Sequence, residues 1–437
     1  MNKLRLLAML VALPGIGIFV RSASPKVYTL EEIFQYAESN SVLLRPYYAA
    51  ELEAAKDVKL AKSNRLPDLN ANMSVGYNGD GFTTKRDYSD YQPAPIPHLA
   101  TGLGLTLYQP LYAGGAIKTG IELAELKTSS ARFATELQND NIRFQLAGFY
   151  LDIYKYRNIR EVVESNCRLA RIVLGDMQAR HEQGTVLQND ITRYELLLSN
   201  YELQLLQIDN TLEILNYHLC VTAGLPEGTT VLPDSTLLET ILPVNGEDWW
   251  RQEAMINSPS LKSASVGVRI SHKSEEIVKA GRFPHIGIKA GWTMDGPILV
   301  EVPPINRNLS YWYVGLGVSY DISSLYKTGK AIDKQRAATR KAELERDAIE
   351  ENISLEIRKD HVRYLEAYET LKTRQKSIEL AESNYNVTYT RYINDMALIT
   401  DMLDAANARL TADIELVNAR INIIYNYYKL LFTSGKI

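Results

Sequence analysis

The sequence is short of almost everything an enzyme or a nucleic-acid binder needs. Its two cysteines, Cys167 and Cys220, fall in helical stretches with neither metal-ligand spacing nor a disulfide framework, so they read as packing residues. The six histidines, His98, His181, His218, His272, His285 and His361, are scattered. No Ser/His/Asp order, phosphate-binding glycine loop or His/Cys cluster emerges, and the eight methionines suggest no dedicated copper path. No catalytic residue, cofactor or metal is therefore expected. A formal net charge of -4 offers no basic field for nucleic acid. Past the N-terminus, no run approaches the ~18 apolar residues of a membrane-spanning helix. If this chain enters a membrane, it must do so as β-structure.

What is present begins with an address. Lys3 and Arg5 precede the apolar run 6–20, and Ser22, Ala23 and Ser24 follow, the layout of a secretory signal peptide over residues 1–22. No cysteine follows the run, so a lipid anchor is not supported.

The chain is then written twice. Asn40-Ser41 recurs as Asn257-Ser258, Leu44 as Leu261, and Arg65-Leu66-Pro67-Asp68-Leu69 as Arg282-Phe283-Pro284-His285-Ile286, each 217 positions on. Tyr112-Ala113-Gly114-Gly115 recurs as Tyr326-Lys327-Thr328-Gly329, and Arg180, Leu187 and Asp190 as Arg391, Leu398 and Asp401. The copies cover 28–223 and 248–437, and the Gly- and Pro-rich strip 224–247 connects them.

Each copy carries two alternating strands, at 68–77 and 99–108 in the first and at 285–293 and 311–320 in the second. Leu69, Ala71, Met73, Val75 and Tyr77 alternate with Asn70, Asn72, Ser74 and Gly76, giving one apolar and one small polar face. The other three strands follow the same scheme. Each is roughly the 9 to 11 residues of a tilted membrane strand, and aromatic residues such as Tyr77, Tyr108, Tyr112, Trp312, Tyr320 and Tyr326 gather at the ends. The polar stretches between paired strands read as outward loops. Four strands cannot close a membrane barrel, and open edges are not tolerated in lipid. The chain must therefore oligomerise.

The rest is helical. Residues 115–183 contain no proline and predict a rod of about 100 Å, with 329–392 similar. Two further pieces per copy, 30–65 with 188–223 and 248–282 with 398–432, are of a length to stack beside each rod. Leu198, Tyr201, Leu205, Ile208, Leu212, Leu215 and Leu219 are spaced alternately three and four apart, as are Leu410, Ile414, Val417, Ile421, Ile424, Tyr428 and Leu431, which predicts lateral helix packing. The expected class is a mixed α and β membrane protein with two structural repeats.

This order, with the Leu66-Pro67 entry to the first strand and the segment Asp401-Met402-Leu403-Asp404-Ala405, resembles the TolC family of outer-membrane efflux proteins across essentially the whole mature chain. The resemblance implies a homotrimer forming a 12-stranded β-barrel in the outer membrane, continued by a 12-helix α-barrel in the periplasm. It implies a passive exit channel of a tripartite efflux or type I secretion system, fed by an inner-membrane pump through a periplasmic adaptor. It also implies a periplasmic gate: Asp401 and Asp404 match aspartates that line the closed end, and Tyr392 and Asp190 match a pair linking neighbouring tips. The chain departs from the pattern at Ala397, where an arginine takes part in closing, and at Asp395, where a glycine is usual.

Physically, Asp401 and Asp404 share a helix face, so threefold symmetry would stack two carboxylate rings that favour cations. Simple helix capping is the competing reading of the same pair. The other functional reading is a structural coiled-coil envelope protein or adhesin anchored by a small barrel, which need not conduct; a soluble helical hydrolase is a third. The cargo, whether drugs, metals or proteins, is not written in a wide duct.

Overall fold

The computed structural model describes residues 26–226, 228–234, 242–301 and 304–437, so the expected signal peptide lies outside it, as does the middle of the connector. The first half runs β1 (Lys26–Tyr28), α1 (Leu30–Asn40), α2 (Arg45–Ser63), β2 (Asp68–Tyr77), β3 (Gly81–Thr83), β4 (Gln92–Ala94), β5 (Leu99–Ala113), α3 (Ala116–Glu182) and α4 (Gln188–Ala223). The second runs β6 (Val231–Pro233), α5 (Glu247–Asn257), α6 (Pro259–Ala280), β7 (His285–Gly296), β8 (Leu309–Ser319), α7 (Ser324–Ile393) and α8 (Ile399–Ser434). No helix among the described residues is long and apolar enough to cross a membrane.

Two compact units draw on both repeats. One comprises Val42–Phe144, Leu242–Tyr368 and Asn426–Ile437. Its centre is a four-stranded antiparallel sheet in the order β2-β5-β7-β8. Directly opposed residues share a face, and the register sorts the two faces cleanly. One row reads Ala71, Leu105, Trp292, Trp312, and the row beside it on the other face reads Asn70, Thr106, Gly291, Tyr313. Glycine has a specific use on the polar face: a Cβ on Gly287 or Gly291 would meet the Tyr108 or Tyr313 ring at 2.5 and 2.7 Å. The glycines are hollows into which those rings lie.

The structure differs from the sequence reading at several boundaries. The expected helix 30–65 is two helices, because Pro46 at the second position of α2 cannot donate a backbone bond to a preceding turn and forces a restart. Pro259 divides α5 from α6 in the same way. Strand β5 continues past 108 to Ala113, through a register shift between Pro110 and Tyr112, because Tyr112 and Ala113 still find partners in Ile286 and His285. Helix α7 starts at Ser324, ahead of the expected 329. The first copy cannot do this, since Gly114 and Gly115 both have positive φ and a Cβ on Gly114 would strike the Ala280 carbonyl at 2.4 Å. The stretch read as a plain loop after β2 contains the small antiparallel pair β3 and β4.

The other unit comprises Met1–Ser41, Gln145–Ile241 and Glu369–Tyr425. Helix α1 opens on a capping box in which Thr29 and Glu32 each accept the other's backbone N–H. The Tyr150 hydroxyl donates to the Tyr28 carbonyl at 2.8 Å and accepts from Asp234 N–H at 2.6 Å, tying the parallel pair β1 and β6 to α3. The core is a coiled-coil seam: Val163, Cys167, Ala170, Val173 and Met177 of α3 pack in one cluster with Ile191, Tyr194, Tyr201 and Ile208 of α4 and Ile399, Met402 and Leu410 of α8.

Candidate functional site at the helix turns

Each long helix ends in a turn to the helix that follows, and both turns are built alike. After α3, Thr185 N–H bonds the Arg180 carbonyl at 3.0 Å and Gly184 N–H bonds the His181 carbonyl at 2.8 Å. After α7, Met396 N–H bonds the Arg391 carbonyl at 2.8 Å and Asp395 N–H bonds the Tyr392 carbonyl at 3.1 Å. This is the Schellman pattern, which places one residue in the left-handed region. That residue is Gly184 (φ 76) in one turn and Asp395 (φ 58) in the other. Aspartate is among the few side chains that tolerate the conformation. The departure from glycine noted in the sequence therefore keeps the turn and adds a carboxylate.

The added carboxylate has a partner. Arg180 Nη2 donates to Asp395 Oδ1 at 2.7 Å, joining the end of α3 to the turn between α7 and α8. The guanidinium also lies 5.9 Å from the centre of the Tyr392 ring, close enough for a cation–π contact. Arg180 was visible in the sequence only as the repeat mate of Arg391. The signal that could have singled it out was Asp395 at a glycine position.

Tyr392 is 8% exposed, and its hydroxyl is buried without a hydrogen-bond partner among the described residues. Burial pushes its pKa up, the Asp190 charge adds to this, Arg180 opposes it, and Asp395 raises it further. Asp190 therefore sits within electrostatic reach of Tyr392, in the first turn of α4. The direct hydrogen bond that the family pattern suggests for this pair is not made within one chain. Behind Tyr392 lie Tyr194, Tyr201, Tyr385 and Tyr389. Burial pushes Tyr201 up to about 12 and Tyr194 further, so these two phenols stay neutral.

Asp401 and Asp404 lie on the exposed side of the first turns of α8, opposite the buried Met402 and Ala405. Asp401 Oδ2 accepts from Leu398 N–H at 3.1 Å, which satisfies a helix-start donor. Asp404 makes no hydrogen bond or ion pair among the described residues. Capping and a solvent-facing carboxylate are thus both realised in Asp401, while Asp404 is free of a capping role. Ala397 packs against the apolar cluster and offers nothing to a closing network. Among the described residues no group of His, Cys, Asp or Glu could hold a metal ion.

Residues 250–435 match the family described as Outer membrane efflux protein. The match falls on the second of the two repeats. It is 21% identical over 385 residues to the Outer membrane efflux protein BepC of Brucella suis biovar 1 (strain 1330), covering 87% of this chain and 79% of the relative. The fold is shared with solved outer-membrane channels. VceC of Vibrio cholerae superposes with a TM-score of 0.76 at 14% identity, over 93% of this chain and 96% of that one. CmeC of Campylobacter jejuni gives 0.75 at 12% identity, over 93% and 85%. Residues 250–435 thus resemble outer-membrane efflux proteins, and the chain as a whole shares the fold of solved outer-membrane proteins.

Proposed function

We propose that three copies close into one exit duct, a 12-stranded barrel through the outer membrane continued by a 12-helix barrel in the periplasm. The observation that carries this is the sheet: it has one apolar face, one polar face and two unpaired edges, β2 and β8. Lipid does not accept unpaired strand edges, so the sheet is completed by other copies. Helix α2 agrees, because none of its 19 residues is buried in the single chain and a helix of that length needs a partner surface.

The duct is passive. It receives cargo from an inner-membrane pump through a periplasmic adaptor, after residues 1–22 are removed as a signal peptide and with 224–247 linking the repeats. Its gate is the set of helix turns. Asp401 and Asp404 of three subunits form two carboxylate rings, and the Arg180–Asp395 pair holds each second turn against the first. Asp190 and Tyr392 complete the contact between neighbouring tips, the buried Tyr392 hydroxyl gaining there the partner it lacks within one chain. Reconstitution in planar bilayers tests the reading: a trimer should conduct, at low open probability until the tips are loosened. A coiled-coil scaffold or adhesin predicts a stable trimer with no conductance at all.

A further inference from the structure

Where α6 gives way to β7 and α7 takes over from β8, the chain passes from helix to sheet, and there a cavity of about 410 Å³ is lined by Lys279, Arg282, Phe283, Gly329, Ile332 and Arg336, with Asp333 beside them. Three of these side chains are cations. Lys279 and Arg336 both reach the largely buried Glu275, at 2.8 and 3.3 Å, and Arg336 also faces Asp333 at 3.5 Å. Arg282 has no carboxylate within ion-pair distance among the described residues, and its Nη2 lies where a Cβ on Gly329 would be 3.6 Å away. Glycine at 329 thus leaves that wall open. Three cations against two carboxylates leave one positive charge over.

The cavity's membrane-side lip is apolar. Phe283 is 49% exposed, and Leu325, one turn before Gly329 on the same face of α7, is 65% exposed. The adjoining corner exposes Tyr320, Ile322 and Tyr326 as well. Aromatic and apolar residues at a strand end followed by cations mark the level where acyl chains meet headgroups.

We propose that this cavity binds the phosphodiester of an anionic phospholipid in the periplasmic leaflet. The single excess charge matches one phosphodiester, Arg282 is the donor left unpaired for it, and Phe283 and Leu325 receive the start of the acyl chains. The site rests on the membrane-duct reading above. It belongs to the second copy alone. Counted from the matched pair Gly115 and Gly329, the first copy has Glu122 where the second has Arg336, and Glu122 is engaged by Lys273 at 2.8 Å. The first copy is therefore an internal control.

The test reconstitutes the full chain in bilayers of equal phosphatidylglycerol and phosphatidylcholine, records conductance, then extracts the trimer mildly and measures retained lipid by mass spectrometry. Wild type should retain phosphatidylglycerol over phosphatidylcholine. Arg282→Gln and Arg336→Gln should each lower that retention about fivefold, Arg282→Lys should restore part of it, and Arg65→Gln should change nothing. Equal retention of the two lipids, or an undiminished preference in Arg282→Gln, overturns the site while conductance leaves the duct reading intact. Displacement of the lipid by excess inorganic phosphate would assign the cavity to free phosphate instead. A wild-type preparation that binds the lipid but never conducts counts against the duct, not the cavity.

Discussion

The two helix turns share one backbone and differ in what they display. The turn after α3 uses Gly184 and continues into a helix whose first turn carries Asp190 and then Arg193; the turn after α7 uses Asp395 and continues into Asp401 and Asp404. The duplication supplied a common turn, and divergence supplied charge. In the first copy acid and base stand together, so the field largely cancels. In the second the acids stand alone, and the one extra carboxylate that the turn geometry tolerates, Asp395, reaches back to Arg180 of the first copy. In the proposed gate, the first tip is a scaffold and the second is the part that selects and moves.

The sharpest way to break that contrast is to cut the link between the turns. Arg180→Ala removes both the ion pair and the ring contact. At about 0.5–1 kcal/mol for each pair and three pairs in a trimer, open probability in planar bilayers should rise at least about tenfold, and Asp395→Gly should reproduce the rise. If Asp395→Gly opens the channel while Arg180→Ala does not, the pair is not the latch and the turn conformation is.

Neutralising the second tip comes next. Asp401→Asn with Asp404→Asn keeps an acceptor for the Leu398 N–H but removes two charges per subunit. Reversal potentials should show the preference for cations falling severalfold, while Asp190→Asn should change it much less. An equal effect from both tips would erase the asymmetry.

Burial separates the exposed tip charges from a carboxylate elsewhere in the chain. Burial pushes Asp140 up to about 6, partly offset by Arg143. The folded chain then holds a proton that the unfolded chain releases near pH 4. Stability should fall as pH rises from about 4 to about 6 and level off above. Asp140→Asn should flatten that slope, gaining about 1–2 kcal/mol at neutral pH after allowance for partial exposure. Thermal melts across the range provide the check.

The smallest effect is expected at Tyr392. Its hydroxyl is buried and unpartnered within one chain, so Tyr392→Phe should leave the stability of the isolated chain within about 1 kcal/mol of wild type or raise it. A measurable rise in open probability without loss of stability would mean that the hydroxyl finds Asp190 in the assembled tip.

How much of this was legible beforehand varied with the kind of interaction. The strands were, because alternation at period two is a local property, and β2 occupies 68–77 as read. Helix breaks at Pro46 and Pro259 were legible in principle, since proline acts on its own backbone, but a helical composition on both sides masked them. The capping role of Asp401 followed from its place three residues into a helix. The Arg180–Asp395 pair did not, because its members are 215 positions apart and no spacing rule connects them.

The sequence by itself determined the duplication, the alternating strands and the heptad seams, for each depends on residues near one another along the chain or on a direct repeat of them. Tertiary structure decided which faces meet. Register placed Trp292 beside Trp312 and the Tyr108 and Tyr313 rings over glycines, and packing brought Arg180 to Asp395 and left Arg282 without a carboxylate partner among the described residues. Such pairings join residues dozens to hundreds of positions apart, and only the fold's closing of the intervening chain sets their distance.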